Sequence, residues 1–571
     1  MNTPTITITN EQINSLPLLL AIIEEMGIRP LIDTHLIPHG QWEGASVGTV
    51  ISIWLCHILQ ERDHRLVVVR DWVHDRMHTL TTLLDQPLRA TDCTDDRLAN
   101  ILTMLGDPST QATLDAALLQ RWLRLYQLPT DTVRLDSTTV SVYHDEVEPD
   151  SLLQLGLSKD HRPDLRQFKL MLATLDPLGM PLCCQMVGGN RADDPLYLPA
   201  YQAAVATIGT RAVLVVGDSK MATLATRGPI VGGGSSYLCP YHLPSVGAEI
   251  ASWVEQALER ATDWQTIDTV DPQTGELKVE AVIDSWERPQ QWTDPNTGQF
   301  HVWNERVLVV RSTTYQAGLR RHREQAVERL TERLLALSQL PGRGRKGYRT
   351  EAELEALIQT RIAQAELSGV VGASVGAVPW HDGQPRWVVT GVWVELQGWQ
   401  ALIDRLGWRV YVTNTSATQY DARAVVATYH GQAIHERGFA RLKSRNLQIR
   451  PLYLRDEVRI AGLVWLLCLA LRVLTLTEHR VRTALTERQE AIVGLNPASR
   501  TQATTRPTTE RVIAAFDNLT LTTIEMEAGT HRHITPLNAT HQHVLVLLAL
   551  PTDLYERLAH PVANLDYHLR E

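Results

Sequence analysis

Three carboxylates in this 571-residue chain occupy positions where a chemical role competes with a structural one. Asp136 stands in the middle of Thr132-Val-Arg-Leu-Asp136-Ser-Thr-Thr-Val-Ser-Val142, a strand-like run rich in valine and threonine, where aspartate is normally depleted. A carboxylate there is exposed at an edge, hydrogen-bonded as a structural group beside Thr138, or bound to a metal. Asp218 follows the apolar run Ala212-Val-Leu-Val-Val216 by two residues. That is just past the carboxyl end of a strand buried on both faces, where open α/β sheets put their ligands. Its other reading is a cap on the turn Ser219-Lys-Met-Ala. Glu436 lies in a helical segment running from Tyr429 to Lys443. At about 100° per residue, Tyr429, Gln432, Glu436 and Lys443 fall within roughly 60° of one another. This is a face for a metal and a phosphate, or else the exposed side of an amphipathic helix buried through Ile434, Phe439 and Leu442.

Three carboxylates from two neighbouring strands and a helix can hold two divalent ions. Magnesium takes oxygen ligands in near-octahedral geometry and keeps several waters, so few protein carboxylates suffice. Two such ions roughly 3.5–4 Å apart activate an attacking oxygen and stabilise a leaving one at phosphorus, which suits phosphodiester chemistry. From His430 to Ile460, six arginines and Lys443 face Glu436, Asp456 and Glu457, an excess of four positive charges beside the third carboxylate. Arg437, Arg441 and Arg445 are the candidates in this track for contacts to a nucleic-acid backbone.

The elements that must position these groups follow from periodicity. Residues 1–130 read as a helical amino-terminal domain, with helices at Pro17–Met26, Val50–Gln60 and Leu114–Tyr126. Residues 131–242 read as the first part of an α/β core. Strands are expected at Thr132–Val142, Gln167–Thr174 and Pro181–Val187, then a helix from Pro195 to Ile208 and the buried strand before Asp218. Residues 243–415 hold ten of the fifteen tryptophans and read as a strand-containing insertion domain. Its two expected helices, Ala317–Leu337 and Thr350–Glu366, are joined by the basic loop Pro341–Gly347. Residues 416–480 complete the core with the Glu436 helix and a core helix from Val458, and residues 481–571 form a carboxy-terminal region available for dimerisation.

Composition limits the alternatives. With 44% hydrophobic and 21% charged residues the chain is globular, and its length exceeds a single core of about 250–300 residues. A net charge of −10 argues against a protein that coats DNA uniformly. Six scattered cysteines without a Cys-x-x-Cys pair read as reduced thiols of a cytoplasmic protein. No secretory signal is expected from MNTPTITITNEQ, and Ile460–Leu476, interrupted by Arg472, reads as a buried helix rather than a membrane span.

The combination of Arg134-Leu-Asp136-Ser-Thr-Thr139, Ser158-Lys-Asp-His-Arg-Pro-Asp-Leu-Arg-Gln167, Gly189-Asn190 with Asp193-Asp194, Val216-Gly-Asp218 and the Glu436 helix resembles bacterial insertion-sequence transposases of the Asp-Asp-Glu type. The likeness is to the branch with a large insertion before the Glu and the signature Tyr-x2-Arg-x3-Glu-x6-Lys. Tyr429, Glu436 and Lys443 match it, whereas Gln432 stands where the family has arginine. The resemblance implies a ribonuclease H-like mixed-sheet core in which Asp136, Asp218 and Glu436 are catalytic and bind two Mg2+ ions, with Mn2+ as a substitute. It implies DNA contacts from Tyr429 and Lys443, with Gln432 in the place of a third. It also implies cutting of insertion-sequence ends and joining to target DNA, by a homodimer on paired ends associated with the nucleoid. Relatives stack an aromatic of the insertion on a flipped base, although most tryptophans there are expected to form the insertion's own core. The competing expectations are a transposase-derived DNA-binding protein that no longer cuts, and a stand-alone metal-dependent nuclease.

Overall fold

A computed structural model describes residues 6–560 apart from 145–147, 149–150, 210–211, 243, 261–262, 271–276, 340–346, 381, 500 and 528. The expected basic loop falls, except for Gly347, outside the described residues. The chain forms two compact units, one made of Met1–Ser236 with Gly431–Glu571 and the other of Tyr237–His430. All three candidate carboxylates belong to the first.

The core of the first unit is a mixed sheet built on the strand Thr132–Val142, every residue of which is buried except Asp136. This strand pairs antiparallel with Arg166–Leu175, which pairs antiparallel with Met180–Gly188. The chain then turns through the helix Tyr197–Ile208 and returns as Leu214–Gly217, parallel to Thr132–Val142 on its other side. All four residues of the returning strand are buried, as its unbroken apolar sequence requires. Antiparallel strands followed by a parallel strand through a helical crossover make the mixed α/β arrangement of a ribonuclease H-like core.

A 32-residue helix, Glu457–Arg488, runs through this unit. It is the one helix among the described residues long and apolar enough to cross a membrane, but 94% of its apolar window is buried inside the protein. Arg472, wholly buried in its middle, is held by Asp115 at 2.6 Å and by the carbonyls of Pro181 and Leu182 at 2.9 Å. A guanidinium satisfied on every side by an anion and backbone oxygens can be kept in a core.

The amino-terminal region supplies the helices Leu16–Glu25, Val47–Glu61 and Pro108–Leu125. It also holds a strand that periodicity does not reveal. Thr7–Gln12 pairs antiparallel with Thr520–Met526, which pairs with Gly529–Ile534, so the first residues of the unit are tied to its last.

In the second unit, strands run in the order Ser236–Pro240, Trp408–Thr413, Phe300–Ser312, Leu277–Thr293 and Gln265–Val270, with antiparallel neighbours. The helices Thr313–Leu335 and Glu351–Gln364 pack against the hairpin of Val371–Val378 and Arg386–Val394 around Leu334, Leu354, Ile358 and Val389. Most of its tryptophans serve this interior. Trp253 and Trp303 are buried, Trp264 meets Trp408 edge to face at 5.3 Å, and Trp387 and Trp399 border the apolar cluster, while Trp393 is exposed.

Candidate active site

The parallel pairing sets Arg134 opposite Val216 and Leu135 opposite Gly217. The next residues are Asp136 and Asp218, so the two carboxylates lie beside each other where the strand Leu214–Gly217 ends. Asp136 Oδ1 accepts from the Ser137 amide at 2.7 Å and lies 3.8 Å from the Lys159 ammonium. Burial pushes the Asp136 carboxyl up to about 6, and the negative charges of Asp218 and Glu436 add to the rise against the pull of Lys159.

Asp218 does cap the short helix Ser219–Ala222, its Oδ1 accepting from the Lys220 amide at 2.8 Å. The same oxygen accepts from the phenol of Tyr197 at 2.5 Å. Burial, and then the charges of Asp218 and Asp136, push the Tyr197 phenol well above its ordinary value, so it remains a donor. Gly217 makes room for this contact: a Cβ there would stand 2.9 Å from Met221 Sδ and 3.1 Å from Tyr197 Cε1. Capping and site geometry are therefore compatible roles for Asp218.

Glu436 is exposed on the helix Gln432–Lys443. That helix is anchored through the residue before it. Buried His435 shares a 2.7 Å hydrogen bond with Thr174 Oγ1 and meets Phe439 edge to face at 4.9 Å. Burial, with Arg134 adding to it, pushes the His435 imidazole down to about 3, so it is neutral. Gly438 is buried on the same helix, facing Leu471 and Leu172.

The single helical stripe expected from Tyr429 to Lys443 is not continuous. The helix Ala422–His430 ends, and a second begins at Gln432 after Gly431. Glycine is a weak helix former, and the interruption falls there. Tyr429 belongs to the second unit, where its ring lies 4.6 Å from that of Tyr411. Gln432 is the half-buried first residue of the following helix.

The cationic track is also partly redirected. Arg441, expected to meet a DNA backbone, is instead buried, paired with Glu478 and, at 2.7 Å, with Glu510. Glu478 also takes Arg437 at 3.1 Å and Arg482 at 2.9 Å, so Arg437 is half-engaged in the same ion cluster. Arg441 is five residues beyond Glu436, about 140° round the helix, which accounts for its facing the interior. Arg445 is exposed. Lys443 reaches Asp160 at 3.0 Å, and burial lowers its pKa.

Several residues at the site carry no role in the sequence reading. Besides Tyr197 and His435, Lys159 donates to Ser137 O at 2.6 Å and lies 3.8 Å from Asp193, which also holds Lys169 at 2.6 Å. Lys159 and Asp193 fall within motifs already singled out, but motif membership does not reveal which carboxylate a loop lysine meets.

Among the described residues, no three His, Cys, Asp or Glu side chains are gathered as a ready-made metal cage. The donor chemistry nevertheless fits a hard divalent cation. All three groups are carboxylates, and among the described residues the hydrogen bonds to Asp136 and Asp218 fall on Oδ1 in both. The cation beside Asp136 in this structure is Lys159.

Comparison with known proteins gives two family matches. A family model described as Transposase DDE domain matches residues 128–473, and one described as Domain of unknown function (DUF4277) matches residues 8–115. No curated protein matches the chain. Among solved structures, the chain is similar to the cryo-EM structure of a piggyBac transposase synaptic complex with hairpin DNA, at 8% identity and a TM-score of 0.33, over 99% of this chain and 88% of that one.

Proposed function

Since this chain belongs to the transposase DDE domain family, we propose that it is a DNA transposase that cuts the ends of an insertion sequence and joins them to target DNA. Asp136, Asp218 and Glu436 are its catalytic carboxylates. The observation that carries this reading is that Asp136 and Asp218 lie side by side on paired parallel strands within the stretch matched by the family, and the Asp136 carboxyl, raised to about 6 mainly by burial, is raised further by the charges of Asp218 and Glu436. A structural aspartate has no need of two further carboxylates within electrostatic reach, and their mutual repulsion favours a bound cation.

In this reading Asp136, Asp218 and Glu436 would hold Mg2+. Two such ions, when bound, supply activation of the attacking oxygen and stabilisation of the leaving one at phosphorus. Tyr197 holds Asp218 in one orientation through Oδ1. Lys159 neutralises Asp136 before a cation arrives. His435, fixed on Thr174, sets the helix that carries Glu436. Lys443, with Arg445 exposed beyond it, contacts DNA phosphates, and the active species is a homodimer on paired ends.

The test is incubation of the full chain with Mg2+ and a DNA fragment carrying the sequences that flank its gene. Nicking followed by joining, both lost in Asp136→Ala, is expected. A second reading, a DNA-binding protein that no longer cuts, is favoured by Gln432 in place of the signature arginine. End binding without nicking would select it, and cutting without joining would indicate a nuclease.

A further inference from the structure

Two adjacent residues of the segment 158–165 place opposite charges at two different parts of the site. Lys159 sets its ammonium 3.8 Å from Asp136 Oδ1 and donates to Ser137 O at 2.6 Å and Ser137 Oγ at 3.1 Å. Asp160 divides its two oxygens between two cations: Oδ1 accepts from Lys443 Nζ at 3.0 Å, and Oδ2 from an Arg450 terminal nitrogen at 3.1 Å. One carboxylate shared by two cations leaves a positive excess, and Lys159 adds its own field at Lys443. A phosphodiester carries one negative charge on two unesterified oxygens, the same charge and number of anionic oxygens as the Asp160 carboxylate. The arrangement around Asp160 is therefore one that a DNA phosphate can take over, with one oxygen for Lys443 and the other for Arg450.

Resting on the transposase reading, we propose that Lys443 and Arg450 form a phosphodiester-binding pair for DNA, which Asp160 fills, with Lys159 against Asp136, until a DNA strand displaces the segment. Asp160 stands in for the phosphate and Lys159 for the cation, so one short segment occupies both halves of the site. DNA and metal binding are then coupled, because removing Asp160 from the basic pair also draws Lys159 from Asp136. A permanent strut makes the opposite prediction: Asp160 would order the two cations for DNA, and its loss would weaken binding.

The experiment is a fluorescence anisotropy titration of the full chain with a short labelled DNA duplex, without metal, at several salt concentrations. Asp160→Asn is expected to bind several-fold more tightly than wild type. Arg450→Ala is expected to bind more weakly, with the slope of log affinity against log salt reduced by about 0.9, the loss of one phosphate contact. The double variant should lose the gain of Asp160→Asn. Equal or weaker binding by Asp160→Asn, with the thermal melt of wild type, overturns the proposal. Should that variant not fold, an unchanged salt slope in Arg450→Ala overturns it alone. Wild type with no affinity for the duplex would overturn the transposase reading as well, whereas wild type that binds while Asp160→Asn changes nothing overturns only this inference. For the other half of the segment, Lys159→Ala is expected to bind Mn2+ more tightly than wild type by electron paramagnetic resonance without DNA, and equal or weaker binding contradicts the role given to Lys159.

Discussion

The phenol of Tyr197 donates to Asp218 Oδ1 at 2.5 Å, linking the first turn of the crossover helix to the carboxylate just past the end of the parallel strand. Partners that orient metal ligands typically contribute 10–100-fold to affinity or activity. Tyr197→Phe keeps the ring that packs near Gly217 and removes the donor, so a loss of about 10–100-fold in Mg2+-dependent nicking is expected with little change in melting temperature. The measurement is nicking rate against metal concentration. A rate and apparent metal affinity equal to wild type would reject the positioning role.

The raised Asp136 carboxyl gives a pH dependence of definite sign. Its value is about 6 in the folded chain and 3.8 without the fold. The folded state therefore binds the extra proton between these values, and the associated stability is complete below about 4 and lost as pH rises through about 6. Above that, the charged carboxylate is a net cost. Asp136→Asn should raise metal-free stability at pH 8 by on the order of 1–3 kcal/mol, while showing no such gain at pH 4. Paired thermal melts at the two pH values check this. On the proposed reading, Mg2+ binding is expected to run the other way, weakening below about pH 6 as Asp136 takes up its proton.

Arg441 and Arg445 look alike in sequence and should behave differently. Removing Arg441 takes from Glu478 and Glu510 their shared buried cation, leaving Arg437 and Arg482 on Glu478 and Asn446 on Glu510, so Arg441→Ala is expected to cost about 1.5–3 kcal/mol by chemical denaturation. Arg445→Ala, at an exposed position, should change stability by no more than about 0.5 kcal/mol and instead lower the salt slope of DNA binding. Reversed outcomes would return Arg441 to the DNA-contacting set.

The contrast between these two arginines indicates what sequence can reveal here. Asp136 and Asp218 stand out in the sequence because one is polar in the middle of a strand and the other follows an unbroken apolar run. The strand Thr132–Val142 appears in the structure with the bounds its valine and threonine pattern indicates. Local pattern fails where the deciding partner is remote. Arg441 is buried by Glu478 and Glu510, which lie on other helices. Thr7–Gln12 becomes a strand only by pairing with Thr520–Met526 near the far end of the chain. The break at Gly431 was visible as a glycine, but a glycine inside an amphipathic pattern does not by itself state whether the helix continues. Lys159 and Asp160 lie in a loop, where periodicity carries no information about contacts.

His435 offers a test of how Glu436 is held. Its imidazole is neutral and buried, sharing a hydrogen bond with Thr174. Thr174→Val removes one partner and leaves a buried nitrogen unsatisfied, at a cost of about 1–3 kcal/mol in denaturant unfolding. A loss of nicking greater than the loss of folded protein is expected, since the helix carrying Glu436 is then less firmly set. A proportional loss of both would assign the bond to stability alone.

The central claim is that Asp136, Asp218 and Glu436 form one metal-dependent site, and the rate of Mg2+-dependent nicking of a DNA fragment bearing the gene's flanking sequences tests it most directly. Groups that act as a unit are strongly non-additive on removal. Asp136→Asn, Asp218→Asn and Glu436→Gln should each reduce the rate as far as the triple variant does, while all remain folded and bind the fragment. A Glu436→Gln protein that nicks at the wild-type rate would contradict the account.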